Sequence, residues 1–336
     1  MKFRALLAAC LPLLGSCGTI KFYTQAVQGQ AEISFGKKPI STVLADPETE
    51  AELAKKLKVA QRIVDFAEQE LSLPHSGCYQ DYNDLGREHV VHIVHGAREL
   101  SFEAKTWWYP FVGKQDYQGY FKEADAIALC EQLEQEGYET FRGGVNAYST
   151  LGFFNDPLLN TFIHYPEAKL AELIFHELTH HRFFTKGNTP FNEALAEAVS
   201  REGTRRYLQT YGTETQQKKY ELRLQRRSQI REEIENTISR LEATYESSHS
   251  NEEKRKLKAR ELSELRTSIK KLFQGWEQTP QNFLSTPLNN ARLNAFTTYE
   301  RLVPPLQDIL KKRFKGDIDA FLSTVEKEGA DIIPSP

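Results

Sequence analysis

The spacing of apolar residues changes along this chain, and the change divides it into segments. Residues 50–71 carry helical spacing, with Leu53, Leu57, Ala60, Ile63, Val64 and Ala67 on one side, and residues 23–33 repeat that pattern more briefly. Asp46-Pro47 supplies a start signal for the longer helix. Residues 89–94 are short and β-branched, 107–112 are aromatic, and 140–148 mix both types, so these predict strands, with a helix over 124–136 between them. Beyond Asp156 the pattern is almost wholly helical. The expectation is an α+β fold, predominantly α-helical, with a small mixed sheet in the N-terminal half.

Residues 214–274 stand apart, dominated by Glu, Lys, Arg and Gln. Ile230, Ile234, Ile238, Leu241 and Tyr245 make one narrow apolar stripe, and Ala259, Leu262, Leu265, Ile269 and Leu272 make another. Between them, Ser250 and Glu253 fit a capping box at the start of the second helix. These features predict a long antiparallel helical hairpin inserted in one domain spanning 17–336. Its first arm would be about 50 Å long at about 1.5 Å per residue, enough to project as a solvated arm or to offer a docking surface to a protein partner or a substrate.

Composition narrows the class. With 40% hydrophobic residues over 336 positions the chain can bury a sizeable core, and a net charge of −3 gives no field that would draw it to nucleic acid. The N-terminus changes the picture further. Lys2 and Arg4 precede a short apolar run that ends in Leu14-Gly15-Ser16-Cys17, too short to span a bilayer. It resembles a bacterial lipobox, which implies a signal peptide over residues 1–16 and a lipid anchor on Cys17. Gly18 after that Cys favours the outer membrane, facing the periplasm, by resemblance to Gram-negative sorting signals. Cys78 and Cys130 would then be the unmodified cysteines, either bridged in an oxidising compartment or held as separate buried thiols.

The candidate chemistry lies in His176-Glu177-Leu178-Thr179-His180. Four residues apart on a helix, the two imidazoles leave one face and can meet one metal ion, while Glu177 can reach water beside it. A tetrahedral zinc in a hydrolase needs a third protein ligand and one open position. Gly187 and Pro190 break the chain, and a second helix beginning near Phe191 brings Glu193 as that ligand. Glu197, one turn on, suits the partner of a ligating histidine or a site for a substrate amine, and the roles of Glu193 and Glu197 could be exchanged. The Asn192-Glu193 arrangement with a later acid resembles the glutamate zincins related to thermolysin, which implies a zincin-like fold around the active-site helix. Tyr148 and Tyr299 are candidates to stabilise an oxyanion. His89, His92 and His95 recur at every third position and read as strand histidines. His181 is expected to point away from the metal.

With these residues in view, the chain resembles a bacterial family of predicted aminopeptidases, lipoprotein zinc peptidases of Gram-negative bacteria. The matching stretches are residues 23–30, 143–162, 176–180, Asn192-Glu193 and 288–299. The resemblance implies one Zn²⁺, a peptide substrate and release of N-terminal residues. Alternatives are a zinc endopeptidase, or an anchored binding lipoprotein whose zinc is structural or inactive. One departure stands out: Trp108 and Lys114 occupy places where the family commonly has a pair of cysteines in Trp-Cys-x-Pro-x-x-Gly-Cys.

Overall fold

The computed structural model describes residues 17–109, 113–147, 155–298 and 300–333. Tyr148, Tyr299 and the segment 14–16 fall outside them. The fold is predominantly helical with small sheets.

The N-terminal half runs α1 (Cys17–Phe35), β1 (Lys38–Pro39), α2 (Ile40–Ala45), α3 (Ala51–Leu71), β2 (Asp81–Asn83), β3 (Val91–Arg98), β4 (Trp107–Tyr109), β5 (Gly113–Gln115), β6 (Tyr117–Tyr120), α4 (Glu123–Gln135) and β7 (Tyr138–Val145). Its strands divide among three small sheets instead of forming one. β3 is the centre of an antiparallel sheet ordered β6-β3-β7, and α4 packs on it through Ala126 and Leu133 against Val94. A second sheet joins β1, β2 and the later β8 (Leu158–Leu159), with β2 and β8 parallel. Among the described residues β4 and β5 pair only with each other, in a register that sets Trp108 directly across from Lys114. The two positions at which the resemblance implied cysteines therefore face each other across one ladder.

Asp46 does not start the long helix. Its backbone N–H bonds Val43 at the end of α2, its side chain accepts from Glu48 N at 3.0 Å, and α3 opens later, at Ala51. Asp46 instead makes the turn that separates two helices.

The C-terminal half runs α5 (Asn160–Ile163), α6 (Glu167–Arg182), α7 (Thr189–Tyr211), α8 (Glu214–Glu246), α9 (Asn251–Gly275), α10 (Gln281–Leu284), α11 (Asn290–Thr298), α12 (Val303–Lys312) and α13 (Ile318–Glu328). Leu57, Ile63 and Leu71 of α3, Ile174 and Phe175 of α6, and Leu195 and Tyr207 of α7 bury fully in the main core, which α12 and α13 close through Leu306 and Phe321. Gly203 permits a close approach of α7 to α3 and α6. A Cβ there would sit 2.6 Å from Leu71 Cδ1 and 3.0 Å from Phe175 Cδ2, so any larger residue would push α7 off its neighbours.

α8 and α9 form the antiparallel hairpin, each opened by a capping box, Thr213 with Gln216 and Ser250 with Glu253. Ile230, Ile234, Leu241, Leu265 and Ile269 bury in a second core that also takes Leu284 and Leu293 from the body. Ion pairs fasten α9 to the sheet region: Arg255 to Glu99 at 2.8 Å and Lys258 to Glu139 at 2.5 Å. The hairpin thus lies along the molecule and shares its core, where the stripe pattern had also allowed a free solvated arm. A narrow stripe is equally what a helix needs to seat on one partner and one flank of a body.

Candidate metal centre

α6 and α7 build the centre together. Glu167 in the first turn of α6 and His180, His181 and Arg182 in its last turn match the helix dipole, and Glu167 is pinned by Arg62 at 2.7 Å and by the Tyr207 hydroxyl at 2.6 Å. The return to α7 uses Gly187, whose φ of +77° a side chain would strain. Asn188 caps the new helix by accepting from Phe191 N. Asn192 then locks the turn: its amide donates to Thr185 O at 2.8 Å and its carbonyl accepts from Thr185 N at 2.9 Å. Glu193, the next residue, is thereby aimed at α6.

His176, His180 and Glu193 converge. His176 Nε2 is 3.2 Å from His180 Nε2 and 3.2 Å from Glu193 Oε2, and His180 Nε2 is 3.5 Å from Glu193 Oε1. Donors about 2.0–2.1 Å from a tetrahedral ion stand about 3.3–3.4 Å apart, so these separations fit one cation of zinc size. Two imidazoles also disfavour Ca²⁺ or Mg²⁺, which prefer oxygen shells. Glu193, not Glu197, faces both Nε2 atoms. Glu197 Oε2 sits 3.7 Å from the other nitrogen of His176, Nδ1, and Glu197 is itself bound by Arg201 at 2.6 Å. Arg227 approaches Glu197 at 3.8 Å and pairs with Glu300, which Arg201 also holds at 2.8 Å. His180 Nδ1, by contrast, is buried with no hydrogen-bond partner.

The electrostatics follow from this crowding. Burial opposes a charge on His176, yet its hydrogen bond to Glu193 and the nearby Glu197 carboxylate carry its pKa well above the usual imidazole range. Burial likewise opposes ionising Glu193, but the His180 charge and hydrogen bonds to both rings hold its carboxyl far below the usual range. Glu177 goes the other way. Burial raises its pKa, and Glu193 and Asp156 add to that against the pull of His176 and His180. A carboxylate made more basic beside a metal set is suited to take a proton.

His181 joins a different group. Its Nδ1 lies 3.8 Å from Cys78 Sγ and its Nε2 3.6 Å from Asp156 Oδ2, and these three also offer donor atoms close enough to share a cation. Burial works against charging His181, but hydrogen bonds with Asp156 and Cys78 push its pKa up to about 9. Cys78 and Cys130 are both free thiols, the first in the main core and the second on α4 against the Val94–Ala126–Leu133 cluster, so no bridge joins them. Asp156 is 5% exposed and lies off the cavity wall described below.

His89 bonds Asn146 at 2.5 Å, and His95 stacks on Phe141. Among the described residues the three histidines of this segment form no metal cluster.

A cavity of about 1440 Å³ brings the pieces together. His176, Glu177, His180 and Glu193 line it, with Phe22 and Tyr23 from α1, Val91 and His95 from β3, and a long face of α8. Sequence reasoning missed that face, along with the Arg201–Glu300–Arg227 network behind Glu197. Arg201 at four residues from Glu197 was a legible pair. Nothing in the sequence pointed to Glu300, nearly a hundred residues away.

Comparison with curated proteins and with solved structures gave no match. A family model described as "Putative aminopeptidase" matches residues 21–331, which covers α6, α7 and the hairpin. The chain belongs to that family.

Proposed function

We propose that this chain is a zinc-dependent peptidase of the bacterial cell envelope, in which His176, His180 and Glu193 hold one Zn²⁺ and Glu177 is the general base. The observation that carries the reading is the meeting of three nitrogen and oxygen donors at 3.2–3.5 Å, beside a carboxylate of raised pKa, on the wall of a large cavity. An enclosed site would have favoured a structural ion and a binding lipoprotein. Donors that line a cavity favour access by substrate.

When bound, zinc supplies Lewis-acid polarisation of a scissile carbonyl and makes water more acidic. The chain does the rest. Glu177 accepts the proton of the attacking water and returns it to the leaving amine. Glu197, 3.7 Å from His176 Nδ1, favours the ring orientation that turns Nε2 toward the metal, while Arg201 and Arg227 keep Glu197 ionised.

Release of N-terminal residues is the activity that the family description supports. Glu197, the sequence candidate for binding the substrate amine, is not well placed for it, since two arginines engage it. Anchoring through a lipid on Cys17, with the domain in the periplasm, rests on the lipobox resemblance. No described helix is long and apolar enough to cross a membrane. Phe22 of the cavity wall lies five residues from Cys17 on α1, about 7.5 Å of helix, so an anchored chain would hold its cavity near the bilayer.

The test is metal analysis of purified protein followed by digestion of a peptide mixture with free and acetylated N-termini. One zinc per chain and stepwise release of single residues from free ends are expected. Absence of zinc would overturn the reading, and equal internal cleavage of acetylated peptides would make the enzyme an endopeptidase.

A further inference from the structure

The face of α8 turned to the cavity is a single helical stripe that changes character along its length. Lys219, Arg223, Arg226 and Arg227 line the cavity first, and Ile230 and Ile234 follow. Some of these cations are already neutralised: Arg223 pairs with Glu172, and Arg227 with Glu300 and Glu197. Lys219, Arg226 and, from α11, Arg292 also line the cavity, and among the described residues none of them has a carboxylate within 4.0 Å. Glu177 and Glu193, the acidic side chains on the same wall, are committed to the metal centre. The cavity therefore holds three cations that no acid of the chain balances.

Arg226 is the most telling of the three. Its guanidinium lies over the Trp276 ring at 5.3 Å and Nη2 reaches Trp276 O at 3.5 Å, which fixes its direction. Its Nε is buried with no hydrogen-bond partner. A buried donor left unsatisfied is costly, and a charged one more so, unless a ligand supplies the acceptor.

The stripe also has a position relative to the chemistry. Arg227 approaches Glu197, and Glu197 faces His176, so one end of the cationic run adjoins the metal centre. From Arg227 to Lys219 the helix rises about 12 Å, which an extended peptide covers in three to four residues.

We infer that α8 and Arg292 form an anion-binding subsite that selects short acidic peptides, with a side-chain or C-terminal carboxylate within about four residues of the scissile bond. This rests on the peptidase reading and adds the substrate class to it. Carboxylate to guanidinium contacts in a partly desolvated cavity are strong and directional, and the same cations repel Lys- or Arg-rich peptides.

The experiment uses the full-length Glu177→Gln protein loaded with zinc, so that binding is read without turnover. Labelled tetrapeptides carrying Glu, Gln or Lys at the third position, with free or amidated C-termini, are titrated by fluorescence anisotropy at two salt concentrations. The Glu peptide is expected to bind at least about tenfold more tightly than its Gln counterpart, with Lys weakest, and the advantage should shrink in salt. Amidation should weaken binding in the same sense. Lys219→Glu, on an exposed helical position, and Arg226→Glu should each lower the Glu-to-Lys affinity ratio about tenfold or more; the first keeps the test open if the second fails to fold. The kcat/KM values of the unsubstituted enzyme should follow the same order. Equal affinity across the charge series overturns the subsite and leaves the peptidase reading standing. Failure to bind or cut any peptide overturns both.

Discussion

His176 presents Nε2 to Glu193 and Nδ1 to Glu197, at 3.2 and 3.7 Å, so one imidazole is held from both edges by carboxylates one turn apart on α7. On the proposed reading the second contact favours one ring orientation and tautomer. Glu197→Gln should therefore weaken zinc binding about 10–100-fold without abolishing it, measured by competition with a chromophoric chelator. An unchanged affinity would show that His176 is oriented by something else.

Replacing a ligand should do more. His180→Ala and Glu193→Ala each remove one of three convergent donors, and zinc should be lost from either purified variant under dialysis that leaves the unsubstituted protein loaded. Full occupancy in either variant would move the metal away from this cluster.

Glu177→Gln keeps shape but cannot accept a proton. The variant should retain zinc and its melting temperature while peptide hydrolysis falls by about 10²–10⁴-fold, a range typical of losing a general base. Substantial turnover would place the base elsewhere.

The hairpin shares a core with the body, so its apolar stripe should carry stability. Ile234 and Ile269 are fully buried, and truncating either to Ala should cost about 2–5 kcal/mol in denaturant unfolding. A change near zero at both would restore the picture of a solvated arm.

The proposed anchor on Cys17 precedes the candidate site in the chain. Cys17→Ser should release the protein from the membrane fraction while leaving the hydrolytic rate of the detergent-solubilised protein unaltered. Unchanged membrane partition of the Ser variant would remove the lipoprotein reading.

Much of this was legible in the residues, where short-range spacing decides geometry. His176 and His180 share a face because four residues make about one helical turn, and Ser250 with Glu253 caps α9 for an equally local reason. The long helical segments and the α+β class followed from the same periodicities. Asp46 misled because a Pro after an Asp marks a turn as readily as a helix start. The tyrosines proposed for the oxyanion lie outside the described residues.

What the sequence by itself determined is therefore what depends on neighbours along the chain: the helices, their caps, and the pairing of His176 with His180. Only the tertiary structure decided that Glu193 faces both Nε2 atoms while Glu197 takes Nδ1, because that choice depends on how α7 packs across α6 around Gly203. It also decided that Cys78 meets His181 and Asp156 in place of Cys130, and that the charged face of α8 lines the same cavity as the candidate metal ligands. A charged helix reads the same from its own residues whether its cations meet water or a cavity. The difference lies in contacts with residues distant in sequence, such as Glu300 with Arg201 and Arg227, and no local spacing encodes them.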